Sequence, residues 1–163
     1  MKPSESTVPA AVGQVERVVS PQRRTEAGVV QCLVSSASKT RRNMLSRAAT
    51  DAGWDTILCS TPEKALSEFQ RNMFYFAIVD LVDRGQTTGG ARELVQTLAQ
   101  DSAGILIGVC GHEADPEEEI WIRQLGIWLY LPSVTTSTEV SSLCKQALQI
   151  VSKRRFDQEI TVQ

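Results

Sequence analysis

The sequence predicts an α/β fold in which five parallel strands form one doubly wound sheet, covered by helices on both faces. From Val29 onward the apolar pattern switches repeatedly between strand-like runs and helical spacing, which is typical of alternating strands and helices. The 163 residues suffice for one domain with a hydrophobic core and are too few for two ordinary domains. For five such units the most common strand order is 2-1-3-4-5. We therefore predict a three-layer sandwich over residues 28–155.

Two tails are expected to flank this domain. Residues 1–27 are rich in Pro, Ser, Gln, Glu and Arg, and we predict that they are mostly disordered. Residues 156–163 are predicted to form a C-terminal tail.

The first two strand–helix units occupy the chain up to about residue 70. Residues 29–34 form the first predicted strand, and apolar residues then recur at helical spacing until Gly53 ends the first helix. Residues 54–60 form the second strand. Thr61 caps the following helix and Pro62 takes its first position.

The next two units contain the most apolar strands. Residues 74–81 form a nearly continuous apolar run, as expected for a strand that is buried on both faces, with Asp80 near its end. A polar loop with glycines leads to a third helix. Residues 105–110 form the fourth strand, and Asp115 with Pro116 begins the fourth helix, whose three glutamates suit its positive N-terminal end.

The last unit is a short strand and an amphipathic helix. Residues 127–131 form the strand. Val140, Leu143, Cys144, Ala147, Leu148 and Val151 form the apolar face of the fifth helix. The basic run 153–155 favours the C-terminal end of that helix.

Composition excludes several classes of protein. A net charge of -2 gives no bulk attraction to nucleic acid or anionic lipid. No apolar run approaches the roughly 20 residues of a membrane-spanning helix, and the N-terminus lacks a signal-like apolar stretch, so a cytoplasmic location is expected. The four cysteines, which contain no C-x-x-C pair, are predicted to be reduced core residues.

In a doubly wound sheet the functional crevice lies beyond the carboxyl ends of the strands. The residues predicted there are Ser35 and Ser36, Asp80 to Asp83, Cys110 to His112, and Leu131 with Pro132.

This order of elements, with an Asp ending the third strand, a Cys-Gly-His turn after the fourth and a Pro after the fifth, resembles the receiver domain of bacterial response regulators, the CheY-like, flavodoxin-type fold. The resemblance covers about residues 29–154. It implies that an acidic pair after the first strand and the third-strand Asp hold magnesium. It further implies that this Asp accepts a phosphoryl group, and that a Thr or Ser and a Lys contact the phosphate.

The resemblance assigns these roles to five positions, counted from Arg41, which matches a frequent arginine of the family. The acidic pair falls on Ser35 and Ser36, the phosphoacceptor on Asp80, the Thr or Ser on Cys110 and the Lys on Leu131. Of the five, Asp80 alone keeps the residue of the family. The pattern indicates a degenerate, pseudo-receiver type.

Elementary chemistry agrees with this interpretation. Two serine hydroxyls cannot replace two carboxylates in neutralising a divalent cation, so no cofactor is expected, and Asp80 and Asp83 are weak candidates for a metal site. A leucine supplies no positive charge to a transferring phosphoryl group, and a thiol is a weak donor. We expect Asp80 to bind nearby backbone amides or the serines instead.

Two alternatives remain open at this stage. Asp80 could serve as a working phosphoacceptor in a phosphorelay with an unusual site. More remotely, Cys110 and His112 could form the nucleophile pair of a small hydrolase, which requires a reactive, accessible Cys110. The main hypothesis is a module that is not an enzyme.

Aromatic residues indicate a surface that binds protein. Ile120, Trp121 and Ile122 are consecutive, so they cannot all face the core of a helix. Trp128 occupies the position of the family's switch aromatic, and strand alternation predicts that Tyr130 projects to the same side. The resemblance implies a partner or homodimer face on helix four, strand five and helix five, and a histidine kinase as an upstream partner. Arg41, Arg42 and the basic run 153–155 are expected on the solvated surface.

Overall fold

The structure, a computed structural model, describes residues 15–18, 30–82, 89–101, 104–132 and 136–162. The strands are β1 (Val15–Val18), β2 (Gln31–Ser35), β3 (Asp55–Cys59), β4 (Phe76–Asp80), β5 (Leu106–Gly111) and β6 (Leu129–Pro132). The helices are α1 (Lys39–Ala52), α2 (Pro62–Arg71), α3 (Gly89–Asp101), α4 (Pro116–Gln124) and α5 (Ser137–Thr161).

The sheet has the predicted parallel arrangement. Its order is β1-β3-β2-β4-β5-β6, so the five predicted strands follow the order 2-1-3-4-5, and that prediction is confirmed. In the register, Asp80 of β4 lies beside Cys110 of β5, and Cys110 lies beside Leu131 of β6. The carboxyl ends of the central strands therefore bring together residues that are distant in sequence.

The sequence did not predict β1, which lies within the segment 1–27 expected to be mostly disordered. For Val15–Val18 that expectation is wrong, because these residues pair antiparallel with β3, Val15 lying opposite Cys59. All five residues of β3 are buried. Without β1, β3 would be an open edge of the sheet, with unpaired backbone groups along one side. The rest of segment 1–27 lies outside the described residues.

The helix termini follow local rules that the sequence carries. Thr61 and Asp115 cap α2 and α4, each with Pro in the first turn, as predicted. Gly53 ends α1 in the left-handed conformation at φ 109°, which favours glycine. Ser38 caps α1 by accepting a hydrogen bond from the amide of Arg41 at 3.3 Å, and this cap fixes where Arg41 leaves the helix.

Two hydrophobic clusters lie on opposite faces of the sheet. The first joins α1 and α5 to the strands around Trp54 and Phe76, whose ring centroids are 5.2 Å apart. The indole of Trp54 donates to the carbonyl of Cys144 in α5 at 2.9 Å. The second cluster joins α2, α3 and α4 to the other face. Since each face is covered, the strand ends are the place where polar side chains can converge.

Helix α5 continues through residues that were predicted to be a tail. It ends at Thr161 rather than near Arg155, so the basic run 153–155 lies well before its C-terminus. The last buried residue of α5 is Val151. Its final turns therefore continue past the part of the helix that packs on the sheet. Among the described residues no helix has both the length and the apolar character needed to cross a membrane.

Candidate functional site

Asp80 and Arg41 form a two-pronged ion pair at the carboxyl end of β4. The Arg41 Nε donates to Asp80 Oδ2 at 2.7 Å, and its Nη2 donates to Oδ1 at 3.0 Å. Ser36 Oγ donates to Oδ2 at 2.8 Å, and the amide of Val82 donates to Oδ1 at 3.1 Å. Each carboxylate oxygen of Asp80 thus accepts two hydrogen bonds, and the side chain is fully buried.

The loop between β2 and α1 is shaped to hold this arrangement. The amide of Ser36 donates to the carbonyl of Cys59 at 3.1 Å, and Arg42 donates from Nη1 to the carbonyl of Ser36 at 2.9 Å. Ser36 Oγ also accepts a hydrogen bond from the amide of Ser38 at 3.3 Å. The loop therefore holds the hydroxyl of Ser36 in position to donate to Asp80.

The predicted solvated position of Arg41 and Arg42 is wrong. Arg42 is buried at 6% exposure, and the Arg41 side chain is 23% exposed because its guanidinium turns inward to Asp80. Arg41 is the site residue that sequence reasoning missed. The expected amide and serine partners of Asp80 are both present, as Val82 and Ser36. Only the arginine partner of Asp80 was not predicted, although the position of Arg41 at the start of α1 could have indicated it.

Electrostatics favour the charged form of Arg41. The hydrogen bond with Asp80 raises the pKa of Arg41, although desolvation of the guanidinium acts in the opposite direction. Arginine binds a carboxylate through two parallel donors, which is stronger and more directional than a single contact. The guanidinium therefore supplies a fixed positive charge against the strand-end carboxylate.

Cys110 lies beside Asp80 and is inaccessible. It is 0% exposed, and burial together with the nearby Asp80 charge raises the pKa of its thiol to about 12. A nucleophilic cysteine needs an accessible thiolate. The ring of His112 contacts Glu118, with Nδ1 3.1 Å from Oε2. The burial of Cys110 overturns the hydrolase alternative.

Two further predicted positions, Ser35 and Leu131, add no charge to the site. Ser35 is buried at the end of β2, next to Val79 in the register. Leu131 packs against the cluster formed with α1 and α5. Asp83, a weak metal candidate in the sequence, lies outside the described residues.

A second polar cluster centres on Glu118, whose side chain is fully buried. Glu118 Oε1 accepts hydrogen bonds from the amide of His112 at 2.8 Å and from the Tyr130 hydroxyl at 2.9 Å. Its Oε2 lies 3.1 Å from His112 Nδ1 and 3.3 Å from Arg92 Nη2. One carboxylate of α4 therefore connects α3, the loop after β5, and β6.

Gly111 makes room for this cluster at the end of β5. A Cβ atom on Gly111 would overlap the ring and hydroxyl of Tyr130 and the carboxylate of Glu118. Glycine is therefore required for close approach here, not for an unusual backbone angle. The glycine of the Cys-Gly-His turn has a packing reason that the sequence did not reveal.

Burial and hydrogen bonding act in opposite directions on Glu118. Desolvation raises its pKa, but the donors from the backbone of His112, from Tyr130 and from the His112 ring outweigh that effect, so the pKa is lowered. Burial and the neighbouring Glu118 carboxylate raise the pKa of Tyr130, which keeps its hydroxyl a donor. The cluster is thus a carboxylate surrounded by donors.

His112, Asp115 and Glu118 bring potential metal-ligand atoms within 4.8 Å of one another. Their oxygens and nitrogen already have partners: Asp115 Oδ1 caps α4 by accepting from the amide of Glu118 at 3.0 Å, and Glu118 binds Arg92 as well. A cation would have to displace the arginine. The arrangement is that of a structural network joining three elements.

The three aromatic candidates are half-buried and do not share one face. Trp128 packs edge-on to Phe76 at 5.9 Å, in the cluster with α5. Tyr130 packs with the cluster on the opposite face, so the prediction that the two project together is wrong. The reason is that Trp128 precedes β6, where regular alternation has not begun. Trp121 stacks against Arg92 at 5.3 Å, while Ile120 of α4 is 56% exposed.

Comparisons with known proteins give a fold but no closer relative. No family model matches the chain, and no curated protein matches it. The receiver domain protein of Methanospirillum hungatei is similar with a TM-score of 0.67 at 13% identity, covering 78% of this chain and 99% of that one. The chemotaxis response regulator CheY4 of Vibrio cholerae has a TM-score of 0.62 at 20% identity, with coverages of 74% and 99%.

A receiver domain protein of Clostridium thermocellum has a TM-score of 0.64 at 14% identity, covering 76% of this chain and 98% of that one. These neighbours are CheY-like response regulator receivers, and at such identities the likeness establishes the shared fold.

Proposed function

We propose that this chain is a receiver-like signalling module of two-component type that acts through protein–protein interaction, with impaired magnesium-dependent phosphorylation of Asp80. It performs no catalysis of its own, needs no cofactor and works in the cytoplasm. The observation that carries the proposal is the bidentate contact of Arg41 with Asp80, at 2.7 and 3.0 Å. The guanidinium of Arg41 binds the carboxylate to which receiver chemistry requires a bound magnesium ion.

The metal step is impaired because the two acidic-pair positions carry no carboxylate. Magnesium requires hard anionic oxygens in near-octahedral geometry. The acidic-pair positions carry Ser35 and Ser36, and both oxygens of Asp80 already accept from Arg41. Binding would have to break a charge-assisted pair and bring a divalent cation beside a guanidinium.

The phosphoryl step is impaired as well. A carboxylate that attacks phosphorus must present a free lone pair, and the developing charge on the phosphoryl oxygens needs nearby cations or strong donors. All four hydrogen bonds to Asp80 would compete with that attack. Cys110 is buried with a raised pKa, and Leu131 is apolar, so neither stabilises a phosphate at the strand ends.

The partner surface that we propose lies on α4, β6 and α5 of the domain body. Ile120 of α4 is 56% exposed there, and Trp121 of α4 and Tyr130 of β6 are half-buried. Exposed apolar residues beside aromatic anchors are favoured at protein interfaces. A protein partner or a second copy would occupy this surface, and a histidine kinase is the upstream partner that a receiver-like module would meet.

A working phosphoacceptor remains the second candidate. Asp80 does stand at the strand end where the crevice lies, and the Arg41 side chain is partly exposed, which offers it a route outward. This function requires Arg41 to leave Asp80 before magnesium enters.

Magnesium, followed by magnesium with beryllofluoride, titrated into isotope-labelled protein, tests the proposal. We expect no saturable amide shifts near Asp80, Cys110 or Trp128. Saturable shifts at these amides would overturn the impaired site in favour of the second candidate. As a control, the variant Ser35→Asp/Ser36→Asp/Arg41→Ser restores the acidic pair and removes the internal cation, so it should gain magnesium-dependent shifts under the same conditions.

A further inference from the structure

The last turns of α5 carry an apolar stripe that points away from the domain. Phe156 is 62% exposed and Ile160 is 59% exposed, and these two form the stripe. Val162, just after the helix, is 88% exposed but lies on a different side. All three are among the five large apolar residues that are exposed in the described part of the chain. Phe156 and Ile160 are four positions apart in α5, so they lie on the same face of the helix.

This stripe faces away from the side that α5 packs on the sheet. The buried residues of α5 end at Val151. After it, Arg154 donates to the carbonyl of Gly104 at 3.1 Å, and the guanidinium of Arg155 lies 5.3 Å over the ring of Tyr75. These two contacts fix the helix on one side, and the 3.6-residue period then places Phe156 on the opposite side.

A helix end of this kind gains stability from packing rather than from propensity alone. The charges along this part of the helix indicate which partner would cover the stripe. Arg154 and Arg155 contact the domain. The charges beside the stripe are therefore Lys153, before Phe156, and Asp157 and Glu159, after it. Each side of the apolar centre therefore carries one sign of charge.

We propose that this end of α5 pairs antiparallel with the same segment of a second copy, with the twofold axis level with residue 155 and therefore next to Phe156. In that arrangement Lys153 of one copy lies beside Asp157 of the other, and each basic turn meets an acidic turn. A parallel pair would instead bring Asp157 of one copy beside Glu159 of the other. Opposite charges across a helix pair set its orientation, and like charges oppose it.

This surface is distinct from the α4–β6–α5 face of the domain body, and the inference does not depend on the state of Asp80. A self-complementary surface with twofold symmetry closes into a dimer rather than a filament, because each copy contributes the same patch. The segment thus gives the module a means of self-association at the end of the sheet opposite the strand-end carboxylate.

The test measures the dimerisation of the full chain by sedimentation velocity over a range of concentrations, with circular dichroism as the check on folding. Wild-type protein is expected to show a monomer–dimer equilibrium, and Phe156→Asp to abolish it. Met73→Asp is the matched control, since it places the same charge on an apolar residue that is 73% exposed in the loop between α2 and β4. A wild-type chain that stays monomeric at the concentrations used for NMR overturns the proposal, as does a Phe156→Asp variant that still dimerises.

Charge reversal then tests the orientation. For the antiparallel pair, Lys153→Glu and Asp157→Lys each weaken dimerisation, by about fivefold or more for the loss of two exposed ion pairs, and the double variant K153E/D157K restores it. A parallel pair gives the opposite sign for Asp157→Lys, because that reversal turns a repulsion with Glu159 into an attraction. Single reversals that strengthen the dimer, or a double variant that is weaker than both, therefore overturn the antiparallel arrangement.

Discussion

Arg41 and Asp80 are joined by two hydrogen bonds across 39 residues of sequence, with Nε to Oδ2 at 2.7 Å and Nη2 to Oδ1 at 3.0 Å. The carboxylate is fully buried, while the arginine reaches it from the first turn of α1. A buried carboxylate that loses its cationic partner keeps its desolvation penalty. The pair therefore satisfies the buried carboxylate and supports the fold.

Arg41→Ala is expected to lower the free energy of unfolding by about 2 kcal/mol, because Asp80 stays buried with two of its four donors removed. Urea denaturation followed by tryptophan fluorescence measures the change. Arg123→Ala is the matched control: Arg123 contacts Glu119 at 2.6 Å on the exposed surface of α4. That exposed pair should contribute less than about 0.5 kcal/mol. Equal losses for the two variants would contradict a structural role for Arg41.

The sheet could be predicted from the sequence because each strand and helix carries its own periodicity. Strand β1 could not, because it is four residues long within a polar stretch, and its pairing with β3 joins Val15 to Cys59. Nothing local to Val15 indicates that contact. The extension of α5 was missed for a related reason, since its last turns have no apolar face turned toward the domain.

Some residues of the candidate site could also be predicted from the sequence, and others could not. Asp80 could be placed because it ends an apolar strand, and its serine and amide partners followed from the neighbouring strand end. The role of Arg41 could not be predicted, because a long side chain can point to solvent or inward, and only the three-dimensional position of Asp80 decides. Glu118 is one of three consecutive glutamates at the start of α4. The sequence gives no signal that this one, at 1% exposure, turns into the core.

The four cysteines should be unreactive in the folded protein. All four are free and buried, and burial raises the pKa of Cys59, Cys110 and Cys144 to about 12. Alkylation with iodoacetamide at pH 8, followed by intact mass measurement, should add no label to native protein and four labels to urea-unfolded protein. Rapid native labelling at Cys110 would restore the case for a nucleophile.

The same thiols should make stability fall at alkaline pH. Their pKa is raised in the folded protein from the ordinary value of 9.0, so the thiols stay protonated when folded and ionise first when unfolded. The stabilisation is complete below pH 9 and is lost progressively as the pH rises toward 12. Urea midpoints measured from pH 8 to 10.5 on Cys59→Ala and wild type check the sign. A wild-type midpoint that falls no faster than that of the variant would contradict it.

Gly111→Ala should destabilise the end of β5 by about 2 kcal/mol or more, because the added methyl group forces Tyr130 away from Glu118. Gly108→Ala, in the same strand, is the control: its added Cβ meets Phe76 no closer than 3.6 Å, an ordinary contact. That variant should change the unfolding free energy by less than about 1 kcal/mol. Thermal or urea unfolding curves of the two variants are compared. Equal losses of stability would mean that β5 tolerates no added methyl group, rather than that the overlap at Gly111 is specific.

Glu118 should make the protein less stable in acid, and Glu118→Gln isolates its contribution. Because hydrogen bonds from His112 and Tyr130 more than offset desolvation, the folded pKa of Glu118 lies below its ordinary value of 4.5. A lowered carboxyl pKa gives stability that is present above pH 4.5 and is lost as the pH falls through the folded value. The difference in unfolding free energy between wild type and Glu118→Gln should therefore be largest near neutral pH and shrink below pH 4.5. Glu119→Gln, whose carboxylate is exposed on the same helix, should show no such trend. A difference that grows in acid would mean that Glu118 is protonated in the folded protein and donates to its neighbours, and the network would then be held by a neutral carboxyl group.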